Sequence, residues 1–290
     1  MAHRKKRERA DSAPAGEPAE TAWEGWRLSQ PDAGFSLAGI DPGAKPFSIG
    51  DKDSDRQQVK ELAAELDGLQ NLFHADGRFK LLVVLQGVDT SGKDSTLRAV
   101  FTAMSPIGVR TVAWGVPSEA ERRHDFLWRI HQQVPAAGEI VCFNRSHYED
   151  VLVPVVAGAI DGAETARRYA QINDFERLLA ESGTVILKFL LQVSKEEQRK
   201  RLQDRVDDPT KRWKFQRGDL EVRKLWDTYQ EAYQRAIGAT ATRWAPWHIV
   251  PADSRSHRDL MVALAVRDAL RALPLRYPDD DALLREIKVE

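Results

Sequence analysis

Lys80-Leu-Leu-Val-Val-Leu-Gln-Gly-Val-Asp-Thr-Ser-Gly-Lys-Asp94 is the stretch that decides the fold. Residues 80–86 form a short apolar run of the kind found in a strand buried on both faces. Residues 87–93 then fit GxxxxGK, and Leu97, Val100, Phe101 and Met104 follow at helical spacing, giving strand, loop, helix. That is the context a phosphate-binding loop requires. Glycines let consecutive backbone N–H groups converge on phosphate oxygens. The helix N-terminus adds its partial positive charge, and Lys93 adds a full one. A plain strand-to-helix turn would have no use for the lysine. Gly87, Thr90, Ser91, Gly92, Lys93, Asp94 and Ser95 are therefore the candidate phosphate-binding residues of this loop.

The loop departs from the usual pattern after Lys93, where Asp94 stands in place of Ser or Thr. The hydroxyl that commonly ligates Mg²⁺ is missing there, so a carboxylate must compensate. Asp89, inside the loop, is placed to hold Mg²⁺ or to orient an attacking phosphate, with Ser95 and Thr96 as lesser candidates. The competing reading of Asp89 is a turn residue bonded to its own backbone.

Alternation continues outward from this unit. Leu62, Leu66, Leu69 and Phe73 predict an amphipathic helix over 60–73. Further strands are expected at 109–114, 139–143, 184–192 and 248–250. Helices are expected from Ser118, whose Glu121 completes a capping box, over 164–179, from Ser194 with Glu197, and over 218–236 and 256–270. Strands alternating with helices imply an α/β fold with a mostly parallel sheet flanked by helices and right-handed crossovers. Ligands in such sheets bind beyond the carboxyl ends of the strands. The expected organisation is a disordered basic and polar tail over 1–34 and a single phosphotransferase domain over 35–290.

Composition narrows the partners. Forty-three Lys and Arg against 44 Asp and Glu leave no whole-protein field for nucleic acid or membrane, so any affinity for polyanions must come from local clustering. Cys142 is the only cysteine, which excludes an internal disulfide or a cysteine-based zinc site and suits a reducing, cytoplasmic setting. No apolar run approaches the ~20 residues of a membrane span. Arg4-Lys-Lys-Arg7 is followed by no hydrophobic stretch, so it is not a secretory signal.

Cations and polar groups gather in two places. The strand at 139–143 runs into Asn144-Arg-Ser-His-Tyr-Glu-Asp150, at the end of the sheet where ligands sit. A Walker B strand would finish in Asp; this one finishes in Asn144. Arg145 can contact phosphate with two N–H groups. Glu149 or Asp150 can supply the carboxylate that Asn144 does not, or cap a helix. His147 reads as a packing or hydrogen-bonding residue. Residues 198–217 hold Arg199, Lys200, Arg201, Arg205, Lys211, Arg212, Lys214 and Arg217 against Asp204, Asp207 and Asp208. A solvated basic face is one reading, and a lid over about 198–218 that closes on phosphates is the other. Asp207-Asp208-Pro209 would make its hinge, and Trp213 and Phe215 its anchors.

Together the GxDxxGKD loop, FNRSHYEDVLV at 143–153 and RLQDRVDDPTKRWKF at 201–215 resemble the polyphosphate kinase 2 family, as do His124-Asp-Phe-Leu-Trp-Arg129 and residues 245–252. The similarity covers roughly 35–272. NRSHYED resembles the subgroup that accepts nucleoside mono- and diphosphates, where other branches carry a DRSWYNR-like string. The resemblance implies a thymidylate-kinase-like P-loop fold and reversible, Mg²⁺-dependent transfer between inorganic polyphosphate and AMP, ADP or other nucleotides. It also implies a basic polyphosphate channel and a homo-oligomer, dimer or tetramer, with no membrane or specific nucleic-acid partner. Asp89, Lys93, Arg145 and Glu149 are the expected catalytic residues, and Asp89 and Glu149 the expected metal ligands. Arg129, Arg145, Arg199, Arg201, Arg205, Lys211 and Lys214 are expected on phosphate. The rival readings are an ATP-dependent P-loop kinase of a nucleotide or other small molecule, an NTP-controlled switch and a non-enzymatic polyanion binder. Intact Gly92 and Lys93 argue against a dead site.

Overall fold

The computed structural model describes residues 23–278 and 287–289. Its centre is the quoted apolar run, β2 (Lys80–Gln86), in which only Lys80 is not buried. On one side β2 pairs in parallel with β4 (Ile140–Asn144), and on the other with β5 (Thr184–Gln192). Outside β4 lies β3 (Val109–Ala113) and outside β5 lies β6 (Trp247–Pro251), both parallel. One antiparallel strand, β1 (Arg27–Leu28), completes the order β1-β6-β5-β2-β4-β3.

Helices α1 (Lys52–Asp76), α2 (Lys93–Phe101) and α9 (Arg255–Arg271) pack as one group, and α4 (Glu149–Val156), α5 (Gly162–Glu181) and α8 (Trp226–Thr240) as another. The two groups meet β5 through α9 and α5 respectively. Leu62, Leu66 and Phe73 face the core from α1, as their spacing predicts. That helix starts earlier than 60 because Asp51 accepts from the N–H groups of Asp53 and Ser54, and it ends where Gly77 adopts a left-handed conformation. No helix among the described residues is long and apolar enough to cross a membrane.

Three expectations change. Ser118 and Glu121 do exchange the two capping-box bonds, at 2.6 and 3.2 Å. Only a 3₁₀ turn follows, because His124 is extended and stacks on Trp128 at 4.0 Å, and the next helix is the single turn α3 (Trp128–His131). The helix over 218–236 is two pieces, α7 (Gly218–Lys224) and α8, parted at Leu225. The tail expected over 1–34 lies outside the described residues for 1–22. Residues 23–34 are structured: Trp23 is buried against Phe47 and His248, and β1 covers the edge of β6.

Candidate active site

The carboxyl ends of β2 and β4 bring the loop and the polar string together. Gly87 has φ +147°, and a Cβ there would meet the Leu191 carbonyl at 2.8 Å, so glycine is required. Thr90 has φ +67° although it is not glycine, a position held against its own preference. Lys93 curls back into the loop and donates from Nζ to the carbonyls of Gly87 at 2.7 Å and Val88 at 3.2 Å. Burial pushes the Lys93 ammonium down to about 8, with Arg145 adding to the effect and Asp89, Glu149 and Asp94 opposing it. Thr90 Oγ1 and Ser91 Oγ are buried with no hydrogen-bond partner among the described residues.

Arg145 leaves β4 with φ +65°. That turn lets its guanidinium reach two carboxylates, Asp89 Oδ1 at 2.6 Å and Glu149 Oε2 at 3.0 Å. Burial works against the charge, but Glu149 and Asp89 outweigh it and raise the Arg145 pKa. With the Gln86 amide nitrogen turned toward Glu149, it donates to Oε1 at 3.0 Å. Asn144 donates to Asp94 Oδ1, and Lys214 Nζ stands 3.8 Å from Asp94 Oδ2.

Behind the string lies a fully buried polar cluster. Lys188, in the middle of β5, donates from Nζ to Glu176 Oε2 at 2.6 Å, Tyr148 Oη at 2.8 Å and the Thr240 carbonyl at 2.8 Å. Glu176 Oε1 accepts from Tyr148 Oη at 3.0 Å and lies 3.2 Å from His147 Nε2. Burial pushes the Glu176 carboxyl up, but Lys188 and His147 outweigh it and hold it below its ordinary range. His147 and Tyr148 are thus tied to the core between Arg145 and Glu149.

The expected residues Asp89, Lys93, Arg145 and Glu149 come together; several others do not. Arg129 is buried on Asp150 and the Gly115 carbonyl and faces the Trp114 ring, so it is committed to structure. Ser95 donates to the Gly92 carbonyl and accepts from Arg258. Asp94 offers one oxygen to Asn144 and turns the other toward Lys214. Arg199 is exposed on α6 (Lys195–Asp207) and pairs with Glu196. Arg201 is buried beneath the loop. Arg205 lies 3.8 Å from Asp219, and Lys211 holds Asp208, which closes α6 where the hinge was expected. Trp213 does not anchor its segment: it is 77% exposed, with its indole on the Thr210 carbonyl.

Sequence reasoning missed Gln198, whose amide donates to the Asp89 carbonyl at 3.3 Å, along with Arg258 and the Lys188–Glu176 pair. Lys188 carried a readable signal, since a charge in the middle of a buried strand demands a partner. Arg258 carried none.

An arrangement of this kind can hold two phosphate groups end to end and neutralise the charge between them, which is the work of a P-loop phosphotransferase. The chain belongs to the Polyphosphate kinase 2 family, whose sequence profile matches residues 49–276. It is 48% identical over 261 residues to the AMP/ADP-polyphosphate phosphotransferase of Meiothermus ruber, covering 90% of this chain and 98% of that one. It is 37% identical to the ADP-polyphosphate phosphotransferase of Rhodopseudomonas palustris, over 77% of this chain and 80% of the other. The crystal structure of Polyphosphate Kinase 2 from Arthrobacter aurescens TC1 superposes with a TM-score of 0.86 at 44% identity, over 94% of this chain and 96% of that one.

Proposed function

We propose that this chain is a polyphosphate-dependent nucleotide kinase that phosphorylates both AMP and ADP. The observation that carries the reading is the 48% identity, over nearly the whole of both chains, to an AMP/ADP-polyphosphate phosphotransferase. The converged loop, Lys93 and Arg145 agree with it.

In the forward reaction an anionic oxygen of the nucleotide's terminal phosphate attacks the terminal phosphorus of polyphosphate. The bond from that phosphorus to the bridging oxygen breaks, and the shortened chain leaves as an anion. One phosphoanhydride replaces another, so the transfer is reversible, and the nucleophile needs no strong base because it is already ionised. The loop N–H groups and Lys93 hold the phosphates, and Arg145 spans the attacking and transferring groups. Lys214, Arg205 and Lys211 supply cations from the lid.

A hard cation such as Mg²⁺ fits the oxygen donors present. Asp89 and Asp94 each leave Oδ2 without a hydrogen-bond partner among the described residues, and Glu149 stands beside them. No group of three or more His, Cys, Asp or Glu among the described residues would hold a metal alone. Phosphate oxygens and water would complete its shell, as is usual for Mg²⁺. When bound, the cation neutralises charge on the phosphates. A homo-oligomeric state, dimer or tetramer, belongs to the same reading.

The test is AMP with polyphosphate and Mg²⁺ and no added ATP. ADP followed by ATP is expected. Product stopping at ADP, or conversion of ADP but not AMP, rejects the dual-acceptor reading. Transfer from ATP with none from polyphosphate selects the ATP-dependent rival.

A further inference from the structure

The segment read as a polyphosphate lid contains an arginine that faces the other way. Arg201 is 5% exposed. Its Nη1 donates to the carbonyls of Thr90 at 3.1 Å and Ser91 at 3.3 Å, and its Nη2 to those of Ala252 at 2.7 Å and Asp253 at 2.9 Å. Its Nε is held by Glu197 at 2.8 Å. Arg258, 1% exposed, approaches the same place from α9: its Nη1 also donates to the Ser91 carbonyl at 3.3 Å, and its Nη2 to Ser95 Oγ at 2.9 Å. Asp259 holds this second guanidinium at 2.7 and 2.9 Å and also accepts from Thr96 Oγ1. Two buried cations, each with its own carboxylate, therefore converge on one carbonyl of the phosphate loop.

We propose that Arg201 and Arg258 are positioning residues for phosphoryl transfer, gripping the phosphate loop from behind so that its N–H groups face the substrate. The peptide unit is planar and trans, so a carbonyl pinned on one side turns the next N–H to the other. Pinning Ser91 O on the guanidiniums directs the Gly92 N–H away from them, toward the ligand side. Pinning Thr90 O holds that residue in its left-handed conformation. Gly92 is glycine for the same reason, because a Cβ there would run into the Arg258 guanidinium. Arg201 sits on the helix that leads into the lid and also holds the carbonyls after β6, so the base of the lid, the loop and the end of the sheet meet on one side chain.

The inference rests on the proposed phosphotransfer, and its test separates the two. Arg201→Lys and Arg258→Lys keep the charge and lose the planar fork. Each is expected to lower kcat roughly 10- to 100-fold, as small misplacements of reacting groups do, with KM for polyphosphate and its salt dependence unchanged. The double variant is expected to be no worse than the poorer single, because both act through Ser91. Glu197→Gln, which loosens Arg201 without removing it, should show the same pattern more weakly if the lysine variants unfold. A raised KM with weakened salt dependence at constant kcat would put Arg201 on the substrate and overturn the proposal. So would parental kinetics in both variants. A readout independent of turnover is the ¹⁵N-amide signal of Gly92 in substrate-free protein. Both lysine variants should move it further than the signals of Lys211 and Lys214, and an unmoved Gly92 sinks the idea whether or not polyphosphate is the donor.

Discussion

Asn144 at the end of β4 donates from Nδ2 to Oδ1 of Asp94 at the start of α2, at 2.5 Å. The two departures from the usual phosphate-loop pattern thus touch each other. The common arrangement puts a hydroxyl after the lysine and a carboxylate at the strand end; here the carboxylate follows the lysine and the strand end is neutral. The number of charges is kept and their places are exchanged.

Exchanging them back is a direct check. Asn144→Asp alone sets two carboxylates at hydrogen-bonding distance, and Asp94→Ser alone leaves none, so each should lose turnover and alter the Mg²⁺ titration. Asp94→Ser with Asn144→Asp should recover kcat/KM above both singles. A double variant no better than the poorer single would show that the two positions do not share one task.

Lys93 should report its burial through pH. The folded chain releases its proton at about 8 and the unfolded chain near 10.5, so between these values the unfolded state binds more protons and stability rises with pH. Below pH 8 the buried charge costs up to about 3 kcal/mol. Lys93→Met is expected to raise Tm at pH 7, by an amount that shrinks from pH 8 to 10.5, while turnover falls on the order of 10²-fold or more. A Tm difference independent of pH would place the lysine outside the loop's interior.

Arg205, Lys211 and Lys214, each beside a carboxylate of Asp219, Asp208 or Asp94, are the cations that the lid reading assigns to polyphosphate. Neutralising all three should raise KM for polyphosphate and flatten its dependence on ionic strength, since fewer ion contacts remain to be screened. Tm should move little, because the pairs are partly open to solvent or loosely spaced, and such pairs contribute about 1 kcal/mol or less each. Parental KM at both low and high salt would return the segment to a solvated face.

In the buried cluster, removing one charge leaves the other without its counterpart. Glu176→Gln or Lys188→Met should each cost about 3–5 kcal/mol, and the double variant less than their sum. Urea unfolding of the three variants measures this, and additive losses would show that Glu176 and Lys188 do not act as a pair.

Much of this architecture could be read from the chain because apolar runs such as 80–86 and 184–192 have a single physical use, and because Gly87, Gly92 and Lys93 make sense only around an anion. Arg201 could not be read. A buried arginine and an exposed one are the same letter, and the difference lies in carbonyls contributed from around residue 90 and residue 252, far apart in sequence. Trp213 failed in the opposite direction, since an aromatic in a basic segment suggests an anchor and the structure leaves it in solvent. β1 has two residues and so no periodicity to detect. Leu225 ends α7 with neither glycine nor proline to announce it.

The antiparallel strand β1 has a practical bearing on where this protein can be cut. The family match begins at residue 49, yet Arg27 and Leu28 pair with His248 and Trp247, and the Trp26 carbonyl accepts from Ile249 N. A chain shortened to start at residue 49 would bare the outer side of β6, five buried residues long, as an open template for another copy to add to. Such a truncation would keep every candidate catalytic side chain and still be expected to clump, with solubility lost before chemistry.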